Sequence, residues 1–197
     1  TFAHRWIKEA RTLADMMINL FWDETEGIFY DTGASHETLI VRPRDIFDNA
    51  MPCGGSTAAD VLLRLGLLTG QVEYSLKAVA SLRSVSRYMS QAPSGFAHWL
   101  GALDFHLASS CEIVLVGSLE DPGTQVMRSL VFGSFIPNRV VAGLDPADPA
   151  DVLDDVPLLV NRSQVNGLPT AYVCENYTCS MPATDPETLS SQLKVRR

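Results

Sequence analysis

The hydrophobic period of this chain changes once, near Cys111, and that change limits the folds open to it. Up to about Ser110 the apolar residues recur every three or four positions, the spacing of one helix face. The run Ile113-Val114-Leu115-Val116 is then continuous and β-favouring, as in a strand buried on both faces. The pattern predicts a helical part, residues 1–110, followed by an α/β part with a short parallel sheet, residues 111–197. At 197 residues the chain can bury roughly 70% of its extended surface, so a core needs neither disulfide nor metal.

Within the first part, a helix is expected from Thr1 to Phe21, with Phe2, Trp6, Ala10, Leu13, Met17 and Leu20 on its packed face. The β-prone runs Gly27–Asp31 and Thr38–Val41 are expected to pair as a small hairpin turning at Thr32–Ser35. A second helix follows Gly54-Gly55, with Ser56 as its N-cap, Ala58, Val61, Leu62 and Leu65 inward, and Gly70 at its end. A third carries Val72, Leu76, Val79, Leu82 and Met89 on one side. A fourth places Phe96, Leu100, Leu103 and Leu107 on one face, with Trp99 and His106 nearer another. Short connections predict antiparallel pairs.

In the second part, Asp121 opens a helix through Phe132, and Arg139–Ala142 reads as the next strand. Strand-helix-strand order predicts a parallel pair with a right-handed crossover. The acidic stretch from Asp145 to Asp155 reads as a solvated linker. Thr170–Cys174 is a third strand, and Asp185 caps a last helix through Leu193.

A net charge of −8 argues against a broad nucleic-acid surface. No apolar run reaches the roughly 18 residues of a membrane span. Neither G-x-G-x-x-G nor a Walker loop follows the first strand, and Glu120 and Asp121 there would repel a phosphate. No cofactor is implied. The four cysteines, Cys53, Cys111, Cys174 and Cys179, include one close pair where a structural zinc usually takes two, so no metal site is expected. Cys174 and Cys179 are a candidate thiol pair. A local disulfide needs a reversal at Asn176-Tyr177, buried thiols are the commoner state, and an intracellular protein would keep the pair reduced.

The densest polar constellation lies between Asp31 and Ser56: Arg42, Arg44, Asp45, Asp48, Asn49, Cys53 and Ser56, with Gly54-Gly55 allowing close backbone approach. Such a loop at the mouth of a helical bundle could bind a polyhydroxyl ligand. Alternatively, Asp48 and Asn49 brace the loop and the arginines pair with nearby acids. His36, His98 and His106 are candidate acid/base groups, since imidazole as a class changes charge near neutral pH. His98 and His106 stand about 12 Å apart along one helix, too far to share a metal. No residue declares itself catalytic.

Three sets of motifs, taken in order, carry a family resemblance. The first is Gly27-Ile28-Phe29-Tyr30-Asp31, Arg42 to Asp48, and Asn49-Ala50-Met51-Pro52-Cys53-Gly54-Gly55-Ser56. The second is Leu62-Leu63-Arg64-Leu65, Leu68-Thr69-Gly70 and Glu112–Gly117. The third is Pro137–Val141, Thr170–Cys174 and Cys179–Asp185. Together they resemble the C-terminal third of the thioredoxin-domain-containing proteins of the spermatogenesis-associated type. The resemblance implies an N-terminal thioredoxin-like domain and an (α/α)6 toroid, similar to N-acylglucosamine 2-epimerases and six-hairpin glycosidases. It also implies a cytoplasmic protein.

This chain would hold the last helical hairpins of that toroid and the α/β appendage. Its partners would be the thioredoxin-like domain and the remaining toroid helices. In a sugar-binding funnel, Asp31, Arg42, Asp48, Asn49, Ser56 and His98 would face the ligand. One departure stands out: the family's Pro-Ser-Gly-Asn-Ser is here Pro52-Cys53-Gly54-Gly55-Ser56, which lacks the Asn amide. Thr1 is not Met, and the helical pattern is already running at Phe2. The expectation is a piece of a longer chain, inactive alone, whose uncovered apolar flanks would drive self-association. The alternative to a carbohydrate-active protein is a non-catalytic interaction or dimerisation module of a redox or chaperone-like one.

Overall fold

The structure is a computed structural model, describing residues 2–33, 35, 41–149, 151–175 and 178–194. It divides into two compact units, Arg5–Leu107 and Ala108–Arg197 with Thr1–His4.

The first unit is helical. Its elements are α1 (Arg5–Phe21), β1 (Trp22–Asp23), β2 (Ile28–Phe29), α2 (Gly54–Thr69), α3 (Val72–Gln91) and α4 (Ala97–Leu107). Gly70 takes φ +68° after α2, a left-handed geometry that costs an L-residue energy but not glycine. The chain therefore reverses within two residues and α3 packs back along α2. Pro93–Gly95 forms a 3-10 turn before α4, which rests on both helices.

Several faces differ from the periodicity reading. On α1 only Ala14 is buried, while Trp6 and Leu13 are more than half exposed. The less exposed stripe, Ile7, Ala10, Ala14, Met17 and Phe21, shares Ala10 and Met17 with the expected face and departs from it at Trp6 and Leu13. Apolar residues line more than one side of α1, so period alone did not choose between them. On α3 Val72 and Leu76 are exposed, and the buried stripe is Tyr74, Lys77, Ala78, Ser81, Leu82, Val85 and Met89. Lys77 belongs to it because its ammonium finds carboxylate partners, whereas the Ser81 hydroxyl is buried without a hydrogen-bond partner. On α4 the buried side is Trp99, Ala102 and Phe105, rather than the leucine side. The Trp99 ring can go inside because its Nε1–H donates to the Ile46 carbonyl at 3.0 Å.

β2 pairs antiparallel with β1, Trp22 opposite Phe29, a pairing the sequence reading did not include. Asp23 closes the intervening turn by accepting from the Thr25 and Glu26 amides. Of the expected partner strand, residues 38–40 lie outside the described residues. The hairpin is fastened to α3 by Lys77, whose ammonium bonds Glu24 in the turn, lies 3.1 Å from Glu73, and sits 4.8 Å from the centre of the Trp22 ring.

The second unit is a sheet with helices. Its elements are β3 (Cys111–Val116), α5 (Pro122–Gly133), β4 (Arg139–Leu144), α6 (Val152–Asp155), β5 (Thr170–Glu175), β6 (Thr178–Cys179) and α7 (Pro186–Lys194). β3 and β4 are parallel, as the strand-helix-strand order predicts, but β5 runs antiparallel to β3 and β6 antiparallel to β5. The sheet is therefore mixed, in the order β4-β3-β5-β6.

Cys111, Ile113 and Leu115 of β3, with Ala171 and Val173 of β5, join Met127 and Val131 of α5 and Leu189 and Leu193 of α7 in one apolar cluster. Asp121 caps α5 through the Gly123 amide, and Asp185 caps α7 through Thr188. Within the stretch read as a solvated linker Val152 is buried on a short helical turn, and just beyond it Val156, Leu158 and Leu159 are buried as well.

Tyr74 ties α3 to α1: buried, it donates its hydroxyl to Asp15 Oδ1 at 2.6 Å. Burial, and then the Asp15 carboxylate, push its phenol up to about 12. A phenol whose folded pKa is raised contributes stability below its unfolded value of about 10 and loses it as pH climbs towards 12. Tyr74→Phe is expected to cost about 1 kcal/mol at neutral pH and to flatten stability between those values, as measured by denaturant melts at stepped alkaline pH.

Candidate functional site

The loop between β2 and α2 is organised by one carboxylate. Asp48 Oδ1 accepts from the Cys53 amide at 3.0 Å and from the Ser56 hydroxyl at 2.6 Å. Its Oδ2 accepts from the amides of His98 at 2.8 Å and Trp99 at 3.1 Å, the open N–H groups of α4's first turn. One side chain thus joins the N-termini of α2 and α4. Burial pushes the Asp48 carboxyl up, but the Ser56 hydroxyl and the three amides outweigh it and hold its pKa below the usual value.

The cap of α2 is Cys53 rather than Ser56. The Ser56 amide donates to Cys53 Sγ at 3.4 Å, and Ser56 lies inside the first turn, fully buried. Gly55 explains part of the glycine pair: a Cβ there would stand 2.9 Å from the buried Trp99 ring. Gly54 instead faces Asp31, and a Cβ there would meet Oδ1 at 3.6 Å, an ordinary van der Waals contact.

Asp31 Oδ2 accepts from the Asp45 amide at 2.6 Å. Arg42 holds the loop to α1, donating to the Thr32 carbonyl at 2.7 Å and to the Leu20 carbonyl at 3.1 Å, with its guanidinium 4.4 Å from the centre of the Tyr30 ring. Arg44 donates to Ser84 Oγ on α3 at 2.7 Å. Beside them opens a cavity of about 270 Å³ lined by Met17, Phe21, Phe29, Tyr30, Asp31, Gly54 and Ala58.

Of the residues singled out from the sequence, Asp31 lines this cavity. Arg42 lies over Tyr30, one of its walls. Asp48 and Ser56 bond to each other behind α2's first turn. Asn49 is exposed, and His98 reaches the cluster through its backbone amide. His36 lies outside the described residues, and His106 is exposed. Sequence reasoning missed Phe21, Phe29 and Tyr30 as cavity walls, because an aromatic at a helix end or in a hairpin reads as core. It also missed Lys77, for which the Glu73–Lys77 spacing of four was a signal. Among the described residues no group of three or more His, Cys, Asp or Glu could hold a metal ion, and no helix is long and apolar enough to cross a membrane.

In the second unit, Cys174 on β5 and Cys179 on β6 are directly opposed and joined as a disulfide. The pairing, rather than idle thiols, follows from the antiparallel reversal between the two strands. Cys53 and Cys111 are buried and take no part in the disulfide.

No family model matches the chain. Spermatogenesis-associated protein 20 of Rattus norvegicus is 34% identical over 183 residues, 92% of this chain. Its Homo sapiens counterpart is 33% identical and its Mus musculus counterpart 31% over the same length. Homology to spermatogenesis-associated protein 20 thus covers nearly the whole chain, in keeping with the motif resemblance. The chain spans only 23% of the length of these relatives.

Three substitutions test this geometry. Asp48→Asn leaves one acceptor oxygen for four donors and is expected to cost about 2–3 kcal/mol. Because the folded pKa of Asp48 is depressed, its contribution is present above about pH 4 and lost as pH falls through the lower folded value. The variant should therefore show a shallower acid limb in urea melts. Gly55→Ala should cost about 1–3 kcal/mol through the Trp99 clash, while Gly54→Ala should be close to neutral by thermal denaturation.

Proposed function

We propose that the helical unit supplies part of the wall of a sugar-binding site in a longer protein. The observation that carries this reading is the cavity beside β2. Phe21, Phe29 and Tyr30 give the cavity an aromatic lining against which the apolar side of a pyranose can pack, and the Asp31 carboxylate stands at the same wall to accept hydroxyls. Its Oδ2 is fixed by the Asp45 amide, which orients the group and leaves Oδ1 for ligand. Arg42, Asp48 and Ser56 act in this reading by positioning the loop, and Asn49 and His98 stand at its outer edge.

The antiparallel pair of α2 and α3 is the repeating element of an (α/α)6 toroid. On this reading the remaining hairpins, and a thioredoxin-like domain, are supplied by chain beyond these 197 residues. The unit by itself would bind weakly and catalyse nothing, because one hairpin and its neighbours cannot enclose a sugar.

A second reading, an interaction or dimerisation module, is favoured by one observation. Trp6, Leu13 and Met16 of α1 are 54%, 63% and 52% exposed, and a contiguous apolar surface of this kind favours contact. These residues would contact either the rest of a longer chain or a second copy of this one.

Titration calorimetry with a panel of monosaccharides separates the readings. Saturable binding by a chain of the relatives' full length, weakened at least about tenfold by Asp31→Ala, supports the first. No binding by either form, together with dimerisation of the 197-residue chain that Leu13→Glu abolishes in sedimentation velocity, supports the second.

A further inference from the structure

The α/β unit carries a thiol–disulfide arrangement that the sugar reading does not use. Cys174 and Cys179 face each other on β5 and β6, and β6 is the outer strand of the sheet. The two sulfurs have unequal surroundings. Cys174 is fully buried and directly opposite the buried Glu112 of the central strand. Cys179 is partly exposed on the edge. Above both lies Arg162, its Nη2 2.8 Å from Cys179 Sγ and 3.7 Å from Cys174 Sγ. Its guanidinium is held 5.1 Å from the centre of the Tyr172 ring, and its buried Nε has no hydrogen-bond partner. A fixed cation beside one sulfur and a buried carboxyl opposite the other treat the two differently. A thiolate is favoured next to a guanidinium and disfavoured by burial.

We propose that Cys174–Cys179 is a thiol–disulfide exchange site whose co-substrate is a dithiol. Cys179 is the sulfur through which exchange occurs, and Cys174 is the resolving sulfur. In the reductive direction one thiolate of the dithiol attacks the accessible Cys179 Sγ. The Cys174–Cys179 bond breaks, and Cys174 leaves with the electron pair and takes up a proton. The dithiol's second sulfur then attacks the sulfur bonded to Cys179, closing the dithiol to its own disulfide. Cys179 is released as a thiolate beside Arg162. The dithiol loses two electrons and two protons. The electrons reduce the protein's disulfide, one proton resides on Cys174, and the other passes to solvent. Attack at Cys179 is favoured by access, and the charge that remains there is favoured by Arg162.

The test uses dithiothreitol on the folded chain, followed by timed alkylation with iodoacetamide and peptide mass spectrometry. Cys53 and Cys111, both buried, serve as internal references. The expected result is reduction without denaturant, with Cys179 alkylated at least about tenfold faster than Cys174 at neutral pH. Arg162→Gln should slow Cys179 alkylation several-fold, and Arg162→Lys, which keeps the charge, should restore part of it. In oxidised glutathione the mixed disulfide should be found on Cys179. Equal alkylation of the two sulfurs would overturn the proposal. So would resistance to dithiothreitol until the protein unfolds, or an unchanged Cys179 rate in an Arg162→Gln protein that keeps its circular dichroism. A failure here leaves the sugar titrations unaffected, since the two readouts concern different units.

Discussion

Four hydrogen-bond donors converge on the carboxylate of Asp48, and the helical unit depends on that convergence. Two of the donors are the open amides of α4, and two belong to the turn that launches α2. A helix start buried without partners would be costly, and α2 and α4 begin side by side. A single acceptor of fixed geometry solves both starts together. Once they are tied, Trp99 lies against Gly55 and its indole N–H finds Ile46. The chain from Asp45 to Gly55 then has little choice of path. The Asp45 amide is thereby brought to Asp31, and the cavity wall is set. The loop's polar residues are thus divided in their work: some hold the helices, and Asp31 is left with an oxygen toward the cavity.

The α/β unit rests on a different constraint, burial of the central strand on both faces. One face of β3 packs on α5 and α7 through an apolar cluster. The other carries Glu112 as well as Val114 and Val116, beside Tyr172 and Cys174 of β5. Burying a carboxyl is expensive unless polar neighbours compensate. This same face meets the Cys174–Cys179 bridge and the guanidinium of Arg162. The polar content of the unit is therefore concentrated on one side of the sheet, next to its only cross-strand covalent bond among the described residues.

The positions of elements could be read from the sequence wherever a local rule decided them. Gly70 ended α2 because a left-handed residue was needed there, Asp121 and Asp185 capped their helices, and the β3–α5–β4 order gave a parallel pair. Helix faces were less legible. Trp6 and Leu13 matched a helical period and are exposed, whereas Lys77 and Ser81 broke one and are buried. A period shows that a stripe exists, but partners on other elements determine which stripe is covered. Ser56 looked like a cap and is instead a donor to Asp48, because Cys53 occupied the cap position first.

What the sequence determined by itself is the division of the chain: helical spacing up to about residue 110, then strands whose continuous apolar runs must be covered on both sides. Those are consequences of side-chain spacing along a backbone and require no knowledge of distant neighbours. Tertiary structure alone decided the site. Asp48 meets His98 and Trp99 across some fifty positions, and Arg162 meets Cys179 across seventeen. Asp31 shares a cavity with Met17 and Ala58. Such meetings follow from how helices and strands pack, and hydrogen bonds between residues so far apart leave no local pattern by which to read them.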